Sequence, residues 1–227
     1  MNNTLIDNSI EALSMTATLR KCLAIDGIKT VSIATGYWDI PGLAILQENL
    51  RSFIEKDGTT LRLLIGKDPY IYANQLKSPK YKDANYPLDF IKTDIHELNV
   101  TEEYKDAIRL LLDYCTENND SKIQIRVFRK NENDETQFLH SKCYIFDGKS
   151  NGIGIGIVGS TNFTQKGLQG NAELNYIETA PNQVLSLDKI PGNKSHLIWF
   201  NEKWEISEPW NKQFLEQILK SAPITDD

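Results

Sequence analysis

The sequence predicts an α/β domain, and three patterns predict it. A strand, a helix and a second strand fit within about forty residues early in the chain, Val31 to Gly66, the signature of a parallel pair joined by a crossover. Two apolar segments later on, 138–146 and 152–158, face each other across turn residues and read as a hairpin. Helical apolar stripes occupy 8–25 and the stretch from Thr101 to Cys115.

The elements follow in order. Residues 8–25 read as a helix with Ile10, Leu13, Ala17 and Cys22 on its buried side. Val31–Thr35 is a short apolar run rich in β-branched residues, and so a strand. Pro41 fits the first turn of a helix, Asp39 stands beside it, and Leu43, Leu46, Leu50, Phe53 and Ile54 recur at helical spacing until Asp57-Gly58 ends it. Thr60–Gly66 is the second strand of the pair. The segment 67–100 has no period and mixes Tyr70, Tyr72, Tyr81 and Tyr86 with lysines, which fits a solvated loop better than a stacking surface for single strands. Thr101 is an N-cap with Glu102 and Glu103 in the first turn, and Tyr104, Ile108, Leu111, Leu112 and Cys115 form the stripe behind it. Ile123–Phe128 is a strand, Arg129 to Thr136 a polar loop, and 173–179 a further strand. Residues 181–195 read as a loop; after it come Trp199, Phe200, Trp204 and Trp210, expected in the core or in subunit contacts, and a helix from about Pro209. The whole, 1–227, is read as one domain with 181–227 as a loop and helical extension.

Composition narrows the class. Three cysteines, Cys22, Cys115 and Cys143, have no metal-ligand spacing, and an odd number argues against a disulfide framework. No apolar run reaches membrane-spanning length and the N-terminus does not resemble a signal peptide, so a cytoplasmic protein is expected. A net charge of −6 argues mildly against extensive non-specific DNA binding, while leaving room for a local basic groove.

The chemistry concentrates in 140–173. His140 and Lys142 are two apart, so on a strand both project from one face. Asp147 closes that strand, Gly159-Ser160-Thr161-Asn162 follows the second strand of the hairpin, and Glu173 lies eleven residues beyond Asn162. An imidazole, an ammonium, a hydroxyl and a carboxamide brought together can bind and attack a phosphate without metal. A phosphodiester is anionic, so cleavage needs positive charge on its non-bridging oxygens and an aligned nucleophile. Gly152-x-Gly154-x-Gly156 mimics a dinucleotide loop but leads into a strand, where glycine permits close packing.

This order of residues resembles the phospholipase D superfamily, whose signature is His-x-Lys, four residues, Asp, then Gly-Ser-x-x-Asn or the tighter Gly-Ser-x-Asn. The tighter form, as here, belongs to its nuclease branch, which also carries a carboxylate at the position of Glu173. The gap between Asp147 and Gly159 is longer than in compact members, which a longer hairpin turn absorbs. The segment Val31–Gly66 is similar to the opening strand, helix and strand of that fold. The resemblance implies a mixed sheet with helices on both faces and no metal or cofactor. It implies that His140 attacks phosphorus to form a phosphohistidine, with Glu173 holding the other ring nitrogen. Lys142 and Asn162 would hold the phosphoryl oxygens, Ser160 would add a hydroxyl or steady the loop, and Asp147 and Gly159 would be structural.

In that superfamily a second histidine, from a second motif, protonates the leaving oxygen. This chain has one motif, and neither His96 nor His196 is followed two residues on by lysine. A homodimer with two His140 rings facing across a two-fold axis solves this. The resulting expectation is a metal-independent DNA endonuclease, acting on double- or single-stranded DNA, of a restriction or phage-defence system. It would be free-standing or a module working with a helicase/ATPase or a DNA-recognition domain, since no recognition motif is visible. The alternative is a phospholipid phosphodiesterase or transferase, for which the tryptophans near the C-terminus are the candidate interfacial residues.

Overall fold

The structure is a computed structural model and describes residues 5–66, 102–117, 120–128, 139–186 and 194–221. Among the described residues the eight strands are Leu5–Asp7 (β1), Thr30–Thr35 (β2), Thr60–Ile65 (β3), Ile123–Val127 (β4), Cys143–Asp147 (β5), Gly154–Gly159 (β6), Leu174–Glu178 (β7) and Glu208–Pro209 (β8). They form one sheet in the order β1-β7-β6-β5-β2-β3-β4-β8. β2, β3 and β4 run parallel, and the remaining pairings are antiparallel. The expected crossover and hairpin are therefore both present: Thr30 pairs with Thr60 in parallel, and Cys143 faces Val158.

Helices cover both faces because the strands are apolar on both. On one face Val31, Ile33, Leu61, Leu63, Tyr144, Phe146, Ile155 and Ile157 form the larger core. Helices Met15–Leu23 (α1), Ile40–Ile45 (α2), Gln47–Ile54 (α3) and Glu102–Tyr114 (α4) lie in the segments that pack there. Full burial of a side chain such as Phe53 or Phe146 stabilises by about 1.5–3 kcal/mol. On the other face Ala34, Leu64, Cys143 and Ile145 form a smaller core with Val184 of helix Pro181–Leu185 (α5) and Phe200 and Trp204 of helix His196–Glu205 (α6). A last helix, Asn211–Ser221 (α7), contributes Phe214 to the larger core, where its ring meets Trp38 edge-on at 5.6 Å.

Two guanidinium groups fix α6 to the sheet. Arg62 donates to Ser32 Oγ at 3.0 Å and Asn201 Oδ1 at 2.9 Å and lies 4.8 Å from the centre of the Phe200 ring. Burial lowers its pKa, and these polar partners offset part of that desolvation. Arg126 donates to Trp204 O at 2.7 Å and stacks over the same indole at 5.0 Å.

Several boundaries differ from the sequence expectation. The first helix starts at Met15, after a strand at Leu5–Asp7 and a single 3₁₀ turn, so the buried set is Met15, Leu19, Cys22 and Leu23, and Ile10 is exposed. The cap explains the late start: Ser14 accepts from Ala17 N at 3.2 Å. The helix after Pro41 breaks at Leu46, whose φ of −114° leaves the helical range, so α2 and α3 are separate. Residues 181–195, expected as loop, hold α5, and the tryptophan-rich stretch is helical from His196, capped by Ser195 through Ile198 N at 3.1 Å. Trp204 and Trp210 are buried in the cores, whereas Trp199 is half-buried. The Tyr/Lys segment 67–100, Thr101, His96 and the loop 129–136 lie outside the described residues.

Candidate active site

The site forms at one edge of the sheet, where the parallel strands β2 to β4 end, β5 and β7 begin and β6 ends. This is the edge at which α/β sheets ordinarily bind ligands. The His140 segment is extended but runs beyond the sheet: Cys143 is the first residue of β5, paired with Ala34 on one side and Val158 on the other. The strand predicted from Phe138 is sheet from Cys143 onward, with one further backbone bond just before it, Gly159 N donating to Lys142 O at 3.3 Å. Leu139, buried in the smaller core, anchors the segment. Its carbonyl oxygen presses against Gly66, where a Cβ would sit only 2.0 Å away, so that position admits no side chain.

This anchoring leaves the His140 ring exposed to solvent. Lys142 is only 7% exposed, and its ammonium donates to the His140 carbonyl oxygen at 2.8 Å. The cation is thus held beside the backbone of His140.

Asn162 reaches the same place from the other motif. The Tyr37 N–H, which can only donate, bonds Asn162 Oδ1 at 3.2 Å, and this fixes the carboxamide with its Nδ2 donor turned away from Tyr37. Gly36 lies between the two motifs: a Cβ there would be 3.4 Å from Asn162 Oδ1 and 3.5 Å from His140 Cδ2. Imidazole and carboxamide therefore converge on one point above the end of β2.

The loop carrying Asn162 is held from below. Asn175, buried at 2% exposure, accepts from Thr161 N at 3.2 Å and donates to Thr161 Oγ1 at 2.8 Å. Tyr144 OH donates to Thr161 O at 2.9 Å, and burial keeps that phenol well above its usual pKa and neutral. Thr35 Oγ1 accepts from Phe163 N at 3.0 Å and donates to Tyr37 O at 2.5 Å. Asp39 Oδ1 accepts from Gly42 N at 2.6 Å and Gln165 N at 2.9 Å, tying the start of α2 to the chain after Asn162; burial raises its carboxyl pKa. Of these supports only Asp39 drew attention in the sequence. A buried Asn or Thr at an inward strand position beside a polar motif is the signal for the others.

Ser160 and Glu173 hold each other. Ser160 Oγ donates to the Glu173 carboxylate and accepts from Leu174 N at 3.1 Å, and Glu173 Oε1 accepts from Asn171 Nδ2 at 3.1 Å. The hydroxyl proton is thus directed at Glu173, and Ser160 steadies the loop. Asp147 lies at the far end of β5, where its Oδ1 caps the turn by accepting from Lys149 N at 2.6 Å. Gly159, the last residue of β6, sits against β7, where a Cβ would meet Leu174 O at 2.5 Å. Cys143 is packed in the core, its thiol pushed up to about 12 by burial. Among the described residues no cluster of three or more His, Cys, Asp or Glu gathers as for a metal ion.

A family model described as the PLD-like domain of cardiolipin synthase matches residues 22–190. The chain belongs to this phospholipase D-like family. Among solved structures, the fold is similar to Nuc of Salmonella typhimurium, a phospholipase D family member, at 14% identity over 90% of this chain and 95% of that one, with a TM-score of 0.50. NucT of Helicobacter pylori aligns at 12% identity over 96% and 95% with a TM-score of 0.38. Yeast tyrosyl-DNA phosphodiesterase aligns at 10% identity over 89% and 37% with a TM-score of 0.40. No curated protein matches. The phospholipase D-like match spans both the hairpin and the crossover, so the motif residues sit in the fold their order implies.

Removing the support beneath Asn162 gives a checkable effect. Asn175→Ala leaves Thr161 N without its buried acceptor, and such a loss costs about 1–3 kcal/mol. A fall of several degrees in Tm by calorimetry is expected, with diester cleavage falling alongside. An unchanged Tm contradicts this role for Asn175.

Proposed function

We propose that the protein is a phosphodiesterase acting on DNA, an endonuclease that works through a covalent phosphohistidine at His140. The observation that carries this reading is the convergence of the His140 ring and the Asn162 carboxamide around Gly36, with the Lys142 ammonium held by the His140 carbonyl. A phosphoryl group placed there meets a nucleophile, a cation and a neutral donor. One imidazole nitrogen attacks phosphorus, the bond to the leaving oxygen breaks, and water later attacks the phosphohistidine to free the imidazole. Lys142 and Asn162 stabilise the charge on the non-bridging oxygens throughout. Glu173, bonded to Ser160 and Asn171, keeps the Asn162 loop in place.

The leaving oxygen needs a proton, and the chain holds one motif. The His140 of a second copy supplies it, so the active unit is a homodimer. A surface for that copy adjoins the site: Leu5, Tyr176 and Val158 stand side by side across β1, β7 and β6, exposed at 54%, 42% and 37%. A row of large apolar side chains on an open sheet face is a subunit-contact signature. A role in restriction or phage defence, beside a helicase/ATPase or DNA-recognition partner, would supply the target selection that this domain's motifs do not.

The same row favours one second reading, a phospholipid substrate entering beside the site. No helix among the described residues is long and apolar enough to cross a membrane, so such a substrate would be taken from a surface. One assay separates the two. Purified protein is given plasmid DNA and phospholipid vesicles in EDTA, with His140→Ala in parallel. Nicking that persists in EDTA and vanishes in the variant is the expected result. Turnover of lipid alone replaces the nuclease reading with the second.

A further inference from the structure

Behind the motif strands lies a cleft of about 410 Å³. One wall is Lys142 and Gly159, from the two motif segments; the other is Lys194, His196 and Trp199, from the start of α6. The cleft thus shares Lys142 with the phosphoryl site and opens at the same edge of the sheet. Its volume lies in the range of small-molecule sites.

The glycine-spaced strand seats one of its lining residues, His196. A Cβ on Gly156 would lie 2.8 Å from His196 Cδ2, so only glycine there lets the imidazole settle on β6. His196 Nδ1 is 3.3 Å from Gln183 O; a carbonyl only accepts, so Nδ1 carries the proton and, in the neutral ring, Nε2 keeps its lone pair. Trp199 is half-buried against the smaller core. The lining holds no carboxylate. Glu202 is paired with Lys194, and Glu178 accepts from Ala180 N at 2.7 Å.

An indole, a hydrogen-bond acceptor and two ammonium groups suit a base joined to a phosphate. We infer that this cleft receives the nucleotide flanking the scissile phosphate, with Trp199 as its stacking surface. The inference rests on the nuclease reading above and gives it a subsite. Stacking of a base on an aromatic ring contributes about 1–3 kcal/mol, a factor of about 5 to 150 in affinity.

The test uses substrates with a single phosphodiester: a deoxydinucleotide, and two counterparts in which one or the other nucleoside is an abasic deoxyribose. For wild-type protein, removing the base on one side should raise KM about 5- to 150-fold. Trp199→Ala should raise KM for the dinucleotide to that same level, leave the abasic substrate unchanged and spare kcat, with Trp199→Phe restoring most of the loss. Equal effects on all substrates, or none, overturn the inference alone, as does loss of the dimer in Trp199→Ala by sedimentation. Wild-type protein that nicks plasmid DNA but cleaves none of the three overturns the subsite alone, and protein that nicks no plasmid removes the nuclease reading and this subsite together.

Discussion

His140→Ala is expected to lower diester cleavage by about 10⁴-fold or more, because removing a nucleophile abolishes the covalent route rather than weakening it. The ring is exposed, and exposed substitutions usually change stability by less than about 0.5 kcal/mol, so the variant should melt like the wild type. Its second use is subunit mixing. If each site needs both copies of His140, heterodimers are inactive, and activity in a re-equilibrated mixture falls as the square of the wild-type fraction. A linear fall means that each chain works alone, which contradicts the shared site and leaves His140 to be judged separately.

Lys142→Met is expected to lower kcat by about 10²–10³, the usual loss on removing one preorganised charge from a developing oxyanion. Methionine keeps most of the buried stem, so packing is largely spared while the ammonium is lost. The effect should fall on kcat more than KM, because the charge it stabilises is greatest in the transition state. Lys142→Arg should rescue poorly. The ammonium sits 2.8 Å from the His140 carbonyl in a nearly closed slot, and a planar guanidinium has a different shape and reach. Full activity in Lys142→Met would remove Lys142 from the phosphate-binding set.

Much of this was legible in the residues. The crossover from Val31 to Gly66 and the hairpin from Cys143 to Val158 follow from apolar runs and turn chemistry, and they bring two distant motifs to one sheet edge. Four things were not legible, each for a physical reason. β1 is three residues long and pairs with β7, a contact no local pattern encodes. α5 lies where proline and polar residues suggest loop, and tertiary packing on the sheet overrides that preference. The supports of Asn162 come from Thr35, Tyr37 and Asn175, so they emerge only once the strands are placed side by side. The partners of Glu173 belong here as well. The family resemblance assigned Glu173 to the imidazole, whereas its bonds to Ser160 and Asn171 follow from the register of β6 on β7.

The measurement closest to the central claim is direct trapping of the intermediate. Protein mixed with a diester labelled at phosphorus and quenched in alkali should carry label that is stable to base and lost in acid. Peptide mapping should place that label on His140, and His140→Ala should carry none. Label at any other residue, or cleavage by wild-type protein with no adduct under conditions that trap one in a known phosphohistidine enzyme, would contradict the account.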